Sequence, residues 1–210
     1  MFDDRTDAGR RLAQELESYH EAEPLVLAIP KGGIPVGLEV AGCLDAEFAV
    51  LVSRKLPFPD NPESGFGAVA EDGTVYLHEI ARRSLSEPDI ETIAQRQREE
   101  IARRIQLLRR GQPLPPLQGR TVILVDDGIA MGSTMRASAG MCHNQKAARI
   151  VVAAPVASPR TIYDLQRVAD DVVILETPAG FRAVAEAYRH WHDVTDEEAV
   201  ALLEEHAVLP

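Results

Sequence analysis

Asp126 and Asp127 stand side by side behind the apolar run 122–125 and ahead of Gly128, Ile129, Ala130, Met131, Gly132, Ser133 and Thr134. An apolar strand that ends in acids and turns through glycines into a helix is suited to holding a ligand. In an open α/β sheet, ligands collect at the carboxyl ends of strands. The amides of such a turn, backed by the positive end of the next helix, form a cradle for phosphate, and Ser133 and Thr134 add hydroxyl donors. Adjacent carboxylates accept from a vicinal diol or bind a divalent cation. Sugar hydroxyls and a phosphate together describe a phosphosugar. The same residues also fit a plain strand–helix turn in which Asp127 caps the helix and Asp126 pairs with a basic side chain.

A second anion-holding segment follows an earlier apolar run, where Pro30 leads into Lys31, Gly32 and Gly33. Glycines let backbone amides close on an anion while a lysine supplies charge. By itself Lys-Gly-Gly is a common tight turn, and its meaning comes from the acidic pair further along the chain. Arg54 and Lys55 follow another apolar run and stand as candidates for a second basic contact or as a plain surface pair.

These groups need elements to position them. Ala8, Leu12, Leu16 and Tyr19 recur at helical spacing behind Thr6, read as the N-cap of a first helix. The runs 25–30, 48–53, 121–125, 150–154 and 172–175 are short and apolar throughout, and 34–43 reads as a helix. Strands apolar on both faces belong to a parallel sheet covered by crossover helices. The predicted fold is therefore α/β, an open, mostly parallel five-stranded sheet flanked by helices, in one domain over 1–210.

The interval 55–78 breaks that rhythm with Pro57, Pro59, Pro62, Gly65, Gly67 and Gly73. It predicts a loop over 55–69 and a hairpin of 68–70 with 74–77 about Glu71, Asp72 and Gly73. Ser86, with Asp89 three residues on, caps a long helix stopped by Gly111 and Pro113. The arginines of that helix, Arg96, Arg98, Arg103, Arg104, Arg109 and Arg110, read as a solvated face. Residues 112–118 form a Pro-rich connector.

Composition excludes several classes. The chain has 210 residues, 45% of them hydrophobic, so disorder and fibre are ruled out. The apolar runs fall far short of the roughly 20 residues of a membrane span. The net charge of -11 disfavours a general nucleic-acid binder. Much of that charge lies in the tail 193–210, which carries six acids and no Lys or Arg. Cys43 and Cys142 lie far apart without metal-like spacing, and the acidic start is unlike a secretory signal, so a reduced, cytoplasmic compartment is expected.

The segment 122–134 closely resembles the signature of type I phosphoribosyltransferases. Residues 27–35 resemble that family's pyrophosphate loop. The resemblance extends to Asp4-Arg5 with Ala8-Gly9, to 53–56, 66–73, 156–159 and 194–197, as in a bacterial subfamily without an assigned acceptor. It implies transfer of phosphoribose from phosphoribosyl pyrophosphate to a nitrogenous acceptor, with Mg²⁺, in a homodimer that binds neither membrane nor nucleic acid. It assigns ribose and 5-phosphate to Asp126 through Thr134, with the metal met by Asp126 and Asp127 indirectly or through ligand hydroxyls. Pyrophosphate falls to Lys31, Gly32, Gly33, Arg54 and Lys55, and catalysis to Lys31, Asp126 and Asp127. The resemblance makes 55–69 a flexible lid and Phe181 the ring that stacks on the base, under a hood made from the termini or from the 66–73 hairpin. Tyr188 and Trp191 are expected to pack together, and His190 and His192 to lie on the surface.

Two departures stand out. Ala130-Met131 replace a hydroxyl-bearing pair, so the loop relies on amides with Ser133 and Thr134. Ala130 also stands where hypoxanthine enzymes carry an Asp, which disfavours that acceptor. Loss of a hydroxyl leaves a second function open, a non-catalytic sensor of phosphoribosyl pyrophosphate or a nucleotide. A nucleotide- or flavin-binding protein of unrelated chemistry ranks lower, because no Gly-x-Gly-x-x-Gly or Walker run is present.

Overall fold

The computed structural model describes residues 1–208, with the side chains of Glu63 and Arg82 excepted. Its first helix, α1, runs Arg5–Glu15 and its N-cap is Asp4, whose carboxylate accepts from the Asp7 amide at 2.9 Å. Thr6, expected as the cap, lies inside the first turn. Asp is an equally good cap residue, and an apolar stripe alone does not say which of two nearby polar residues takes the cap.

The chain then alternates. β1 is Leu25–Ala28, α2 Gly33–Leu44 and β2 Glu47–Val50. After an insertion come β6 at Thr121–Val125, α5 at Ser133–Asn144, β7 at Arg149–Val156, α6 at Pro159–Leu165 and β8 at Asp171–Glu176. The insertion supplies β3 at Ser53–Phe58, β4 at Asn61–Ala70, β5 at Val75–Leu77, α3 at Glu79–Ser84 and α4 at Glu87–Arg109. A last helix, α7, spans Asp196–Glu205.

The main sheet has five strands in the order β2-β1-β6-β7-β8, all parallel. Every residue of β1 is buried, and β6 alternates between two packed faces. Val122 and Leu124 join Met135, Met141 and Cys142 of α5, while Ile123 and Val125 join Leu12, Leu16, Val36 and Val40 of α1 and α2. Both faces are dry, which is why the sequence shows continuous apolar runs rather than alternation.

The interval expected as a loop over 55–69 is instead regular structure. β3 pairs antiparallel with β4, and β4 with β5, in a separate three-stranded sheet. Pro57 misled the reading because proline usually argues against a strand. Here it sits on the edge strand at a register shift between Leu56 and Phe58, where a missing amide costs least. The run 48–53 likewise divides, since β2 stops at Val50 and Ser53 already belongs to β3. The hairpin about 71–73 forms as expected, and its strand β4 sends Phe66 and Val69 into a core with Leu56, Ala94, Ile101, Leu108 and Leu203.

Ser86 caps α4 as expected, accepting from the Asp89 amide. One arginine of α4 departs from the solvated face. Arg109 is buried and grips Glu71 with Nη2 to Oε1 at 2.7 Å, while another of its nitrogens donates to the Val50 carbonyl at 3.1 Å. Glu71 also accepts from the Val52 amide at 2.8 Å, so the pair ties the insertion to the end of β2.

Candidate functional site

The strand order changes direction between β1 and β6. From β1 the chain crosses through α2 to β2 on one side, and from β6 through α5 to β7 on the other. The loops leaving such neighbouring strands splay apart and open a crevice at the carboxyl edge. Ala28 and Val125 are register partners, so the two loops that begin after them are Ile29 to Gly32 and Asp126 to Gly132. The sequence-predicted anion segments therefore share one crevice.

They touch closely. A Cβ placed on Gly32 would stand 1.9 Å from Oδ2 of Asp127, so glycine is required if the loop is to lie against the acid. The Pro30–Lys31 peptide bond is cis. Lys31 reaches past the loop, with Nζ 3.1 Å from Oδ1 of Asp196 at the start of α7. That contact, a hydrogen bond to Lys31 first of all, holds the Asp196 carboxyl below the usual carboxylate range.

The two acids have different surroundings. The Asp127 amide donates to Oδ1 of Asp126 at 2.9 Å. Asp127 itself is buried, and its Oδ2 accepts from Nε of Arg5 at 2.9 Å. Arg5 also donates to the His192 carbonyl at 2.9 Å and lies 4.0 Å from the centroid of the Trp191 ring. Tyr188 donates its hydroxyl to the Asp127 carbonyl at 2.5 Å. The basic partner expected for Asp126 in the plain-turn alternative thus belongs to Asp127. The cap role of that alternative falls to Gly132, which has φ 72° and no side chain to offer.

Burial drives the ionisation of the pair. It pushes the Asp126 carboxyl well above the ordinary range, and the neighbouring Asp127 charge pushes further. It raises Asp127 as well, against the pull of the Arg5 guanidinium. Two adjacent carboxyls, Asp127 buried and Asp126 half-buried, resist double ionisation, and Arg5 biases the negative charge toward Asp127.

The next turn is pinned from behind and open in front. Ile129 donates to the Val156 carbonyl at 2.8 Å, and Thr161 donates its hydroxyl to the Ala130 carbonyl at 2.6 Å. Among the described residues, the amides of Ala130, Met131 and Gly132 donate to no backbone carbonyl. Ala130 and Met131 are exposed at the tip, Met131 at 59%, while Gly132 is buried. Ser133 begins α5 and is buried, with Oγ 2.8 Å from Nε2 of His78, while Thr134 is half-buried.

The remaining candidates lie around this centre. Arg54 is bonded to α4, through Nε to Oε1 of Gln97 at 3.2 Å, and Lys55 follows on the exposed side of β3. Burial, followed by the nearby Arg104 charge, lowers the Arg54 pKa. Phe181 is half-buried against a cluster of Phe2, Val156, Ala187 and Tyr188 with Trp191. Tyr188 and Trp191 pack as expected, with ring centroids 5.3 Å apart. The termini are laced together there, through Phe2 to the Ala187 carbonyl at 2.8 Å and Arg189 to the Phe2 carbonyl at 2.9 Å.

Arg5, His78, Thr161 and Tyr188 touch the loops of the candidate site, contacts that spacing alone did not anticipate. Asp4-Arg5 carried a signal as part of the family-like opening, and Tyr188 one through its pairing with Trp191. His78 and Thr161 are isolated polar residues brought in by long-range packing.

Among the described residues, no group of three or more His, Cys, Asp or Glu could hold a metal ion, and no helix is long and apolar enough to cross a membrane. With Oδ2 of Asp127 occupied by Arg5, the donor set fits a cation whose other ligands come with a phosphorylated substrate and water, as Mg²⁺ prefers.

Comparison with known proteins agrees with this geometry. A protein of Mycobacterium tuberculosis (strain CDC 1551 / Oshkosh), named "Putative phosphoribosyl transferase MT0597", is 41% identical over 206 residues, which are 97% of this chain and 46% of that protein. The counterpart from strain ATCC 25618 / H37Rv, "Putative phosphoribosyl transferase Rv0571c", matches equally. The chain thus spans about half the length of these curated relatives. The crystal structure of TT1426 from Thermus thermophilus has a TM-score of 0.81 at 39% identity, covering 98% of each chain. Residues 3–188 match the family model described as the phosphoribosyl transferase domain. On sequence and fold together, the chain belongs to the phosphoribosyl transferase family.

Proposed function

We propose that the chain transfers the 5-phosphoribosyl group of phosphoribosyl pyrophosphate to a nitrogenous acceptor. The observation that carries this reading is the meeting of the Lys31–Gly33 loop and the Asp126–Gly132 loop at one switch point. The bond from C1 of the ribose to the pyrophosphate oxygen breaks, its electron pair leaves with pyrophosphate, and the acceptor nitrogen bonds to C1 from the opposite face. The acceptor's proton passes to solvent. C1 becomes cation-like on the way, so catalysis is mainly electrostatic and positional.

Each side chain then has a role. The amides of 130–132, which among the described residues donate to no backbone carbonyl, hold the 5-phosphate, with Ser133 and Thr134. Asp126 accepts from a ribose hydroxyl, and Asp127, fixed by Arg5, sets the height of the sugar against Gly32. Lys31 and the amides of Gly32 and Gly33 take up charge on the departing pyrophosphate, with Arg54 and Lys55 as outer basic contacts. Phe181 offers a flat apolar face to a heterocycle. Mg²⁺, met by Asp126 and Asp127 indirectly or through ligand hydroxyls, would supply positive charge that favours departure of pyrophosphate. The reading includes a homodimer, which sedimentation at micromolar concentration tests directly.

Incubation with Mg²⁺, phosphoribosyl pyrophosphate and a panel of nitrogenous bases should release pyrophosphate. Asp127→Asn should slow that release at least tenfold, a typical loss when a positioned group is removed. Absence of turnover with every acceptor rejects the enzyme reading.

The exposed Met131 in place of a hydroxyl favours a second reading, a sensor that binds phosphoribosyl pyrophosphate or a nucleotide without turnover. Saturable binding without pyrophosphate release, coupled to a change in association with another protein, distinguishes it.

A further inference from the structure

The hydroxyl of Ser133 is already engaged from outside its own loop. Nε2 of His78, the residue between β5 and α3, lies 2.8 Å from Oγ. Behind His78, the Tyr76 hydroxyl is 3.5 Å from Nδ1. Behind Tyr76, the buried Arg136 donates to that hydroxyl, and it donates to Oδ2 of Asp164 at 2.7 Å. The member that can only donate sets the first step of this series. Arg136 has no acceptor, so the Tyr76 oxygen receives from it, and in the His78 tautomer with Nδ1 bare the Tyr76 proton goes to that nitrogen. His78 then carries its proton on Nε2 and donates to Ser133. The one proton left over is that of the Ser133 hydroxyl, which must find an acceptor outside the series.

We propose that His78 is a positioning residue for the ligand's 5-phosphate, because its donation to Ser133 leaves the serine hydroxyl proton to be given to a phosphate oxygen in the Gly128–Gly132 turn. This rests on the phosphoribosyl reading above and adds to it a residue from the inserted sheet. The role has weight here because Ala130 and Met131 bring no hydroxyl, so the orientation of Ser133 decides one of few side-chain donors. His78 is itself fixed, since its amide donates to the Phe66 carbonyl of β4 at 2.9 Å. The charged and titratable groups around it are Tyr76 on β5, Arg136 on α5, and Asp164 and Arg160 on α6. Burial and then the Arg136 charge hold the imidazole below its ordinary pKa, which keeps it neutral at pH 7.5, as the series requires.

Calorimetric titration with ribose 5-phosphate at pH 7.5 tests this on wild type, His78→Leu, His78→Gln, Ser133→Ala and the double variant His78→Leu with Ser133→Ala. His78→Leu and Ser133→Ala should each weaken binding about fivefold, the worth of one ordinary hydrogen bond. The double variant should bind no more weakly than Ser133→Ala, because the two act through one hydroxyl. His78→Gln, which keeps an N–H donor, should recover much of the loss, and affinity for inorganic pyrophosphate should not change in any variant. If His78→Leu does not fold, His78→Asn, polar but too short to reach Ser133, makes the same comparison. Wild-type affinity in the Leu or Asn variant, additive losses in the double variant, or no recovery with Gln overturns the positioning role alone. Failure of wild type to bind ribose 5-phosphate overturns the phosphoribosyl reading and this role with it.

Discussion

Nε of Arg5 and Oδ2 of Asp127 are 2.9 Å apart, with the two side chains only 7% and 12% exposed. The same guanidinium lies over Trp191 and donates to the His192 carbonyl. One cation thus holds the first helix, the end of β6 and the C-terminal segment to a single point. Arg5→Met keeps the length of the side chain but leaves a buried carboxylate without its partner. It should cost about 3–5 kcal/mol in urea unfolding, the range for breaking a buried pair. Arg5→Lys keeps the charge but not the stacked plane or the divided donors, so an intermediate loss is expected. Equal stability of Arg5→Met and wild type would mean that the pair contributes nothing.

The acidic pair also gives stability a direction with pH. The Asp126 carboxyl titrates well above its ordinary value of 3.8 in the folded chain. Between that value and the raised one, the folded chain holds more protons than the unfolded chain, so stability falls as pH rises through the window. Glu71, raised by burial, acts in the same sense, and the contribution of Asp126 is therefore read as a difference. Asp126→Asn should flatten part of the slope and be more stable than wild type at pH 8. Urea midpoints for both proteins at pH 5 and pH 8 check this, and a wild-type slope unchanged in the variant contradicts it.

What the sequence made legible follows from how local each signal is. The apolar runs of β1, β6 and β7 are continuous because the sheet is covered on both faces, and the two loops proposed to hold anions follow β1 and β6 directly. Neither needs knowledge of distant packing. The inserted sheet was misread because proline and glycine mark loops only on average, and an edge strand with a register shift tolerates Pro57. The contacts that Arg5, His78 and Tyr188 make were illegible for another reason. Each is made by a single polar residue whose partner lies 55 or more positions away, and no periodicity records such a contact.

The Arg109–Glu71 pair shows the same limit and leads to a stability test. Arg109 reads with the other arginines of α4 as part of a solvated face, yet it flanks the stripe of Ile101, Ile105 and Leu108 and is buried against Glu71 with side-chain exposures of 7% and 8%. Glu71→Ala leaves the guanidinium unpaired and takes the acceptor from the Val52 amide. A loss of about 3–5 kcal/mol is expected. Glu71→Gln keeps an acceptor for Val52 and should lose less. Unfolding monitored by Trp191 fluorescence and by backbone dichroism measures both, and a Glu71→Ala loss below that of Glu71→Gln would reverse the argument.

Lys31 is engaged by Asp196, and this contact is cheap to break. Both side chains are about one-third exposed or less, and a pair of this kind is worth roughly 0–1 kcal/mol. Arg103 shares the same carboxylate at 3.6 Å. Asp196 also opens an acidic first turn of α7 with Glu197 and Glu198, which sets negative charge beside the loop assigned to pyrophosphate. Asp196→Asn therefore has two effects of one sign, the release of Lys31 and the removal of a repelling charge. Affinity for inorganic pyrophosphate should rise by up to about fivefold, the equivalent of such a surface pair. Lys31→Ala should take away the share of the gain that the released ammonium delivers and leave only the share that comes from the removed charge. Titration calorimetry at low and at 0.5 M salt makes the comparison, with the difference between Asp196→Asn and wild type shrinking at high salt. A gain undiminished in the Lys31→Ala background would assign the whole effect to the α7 charge rather than to the lysine.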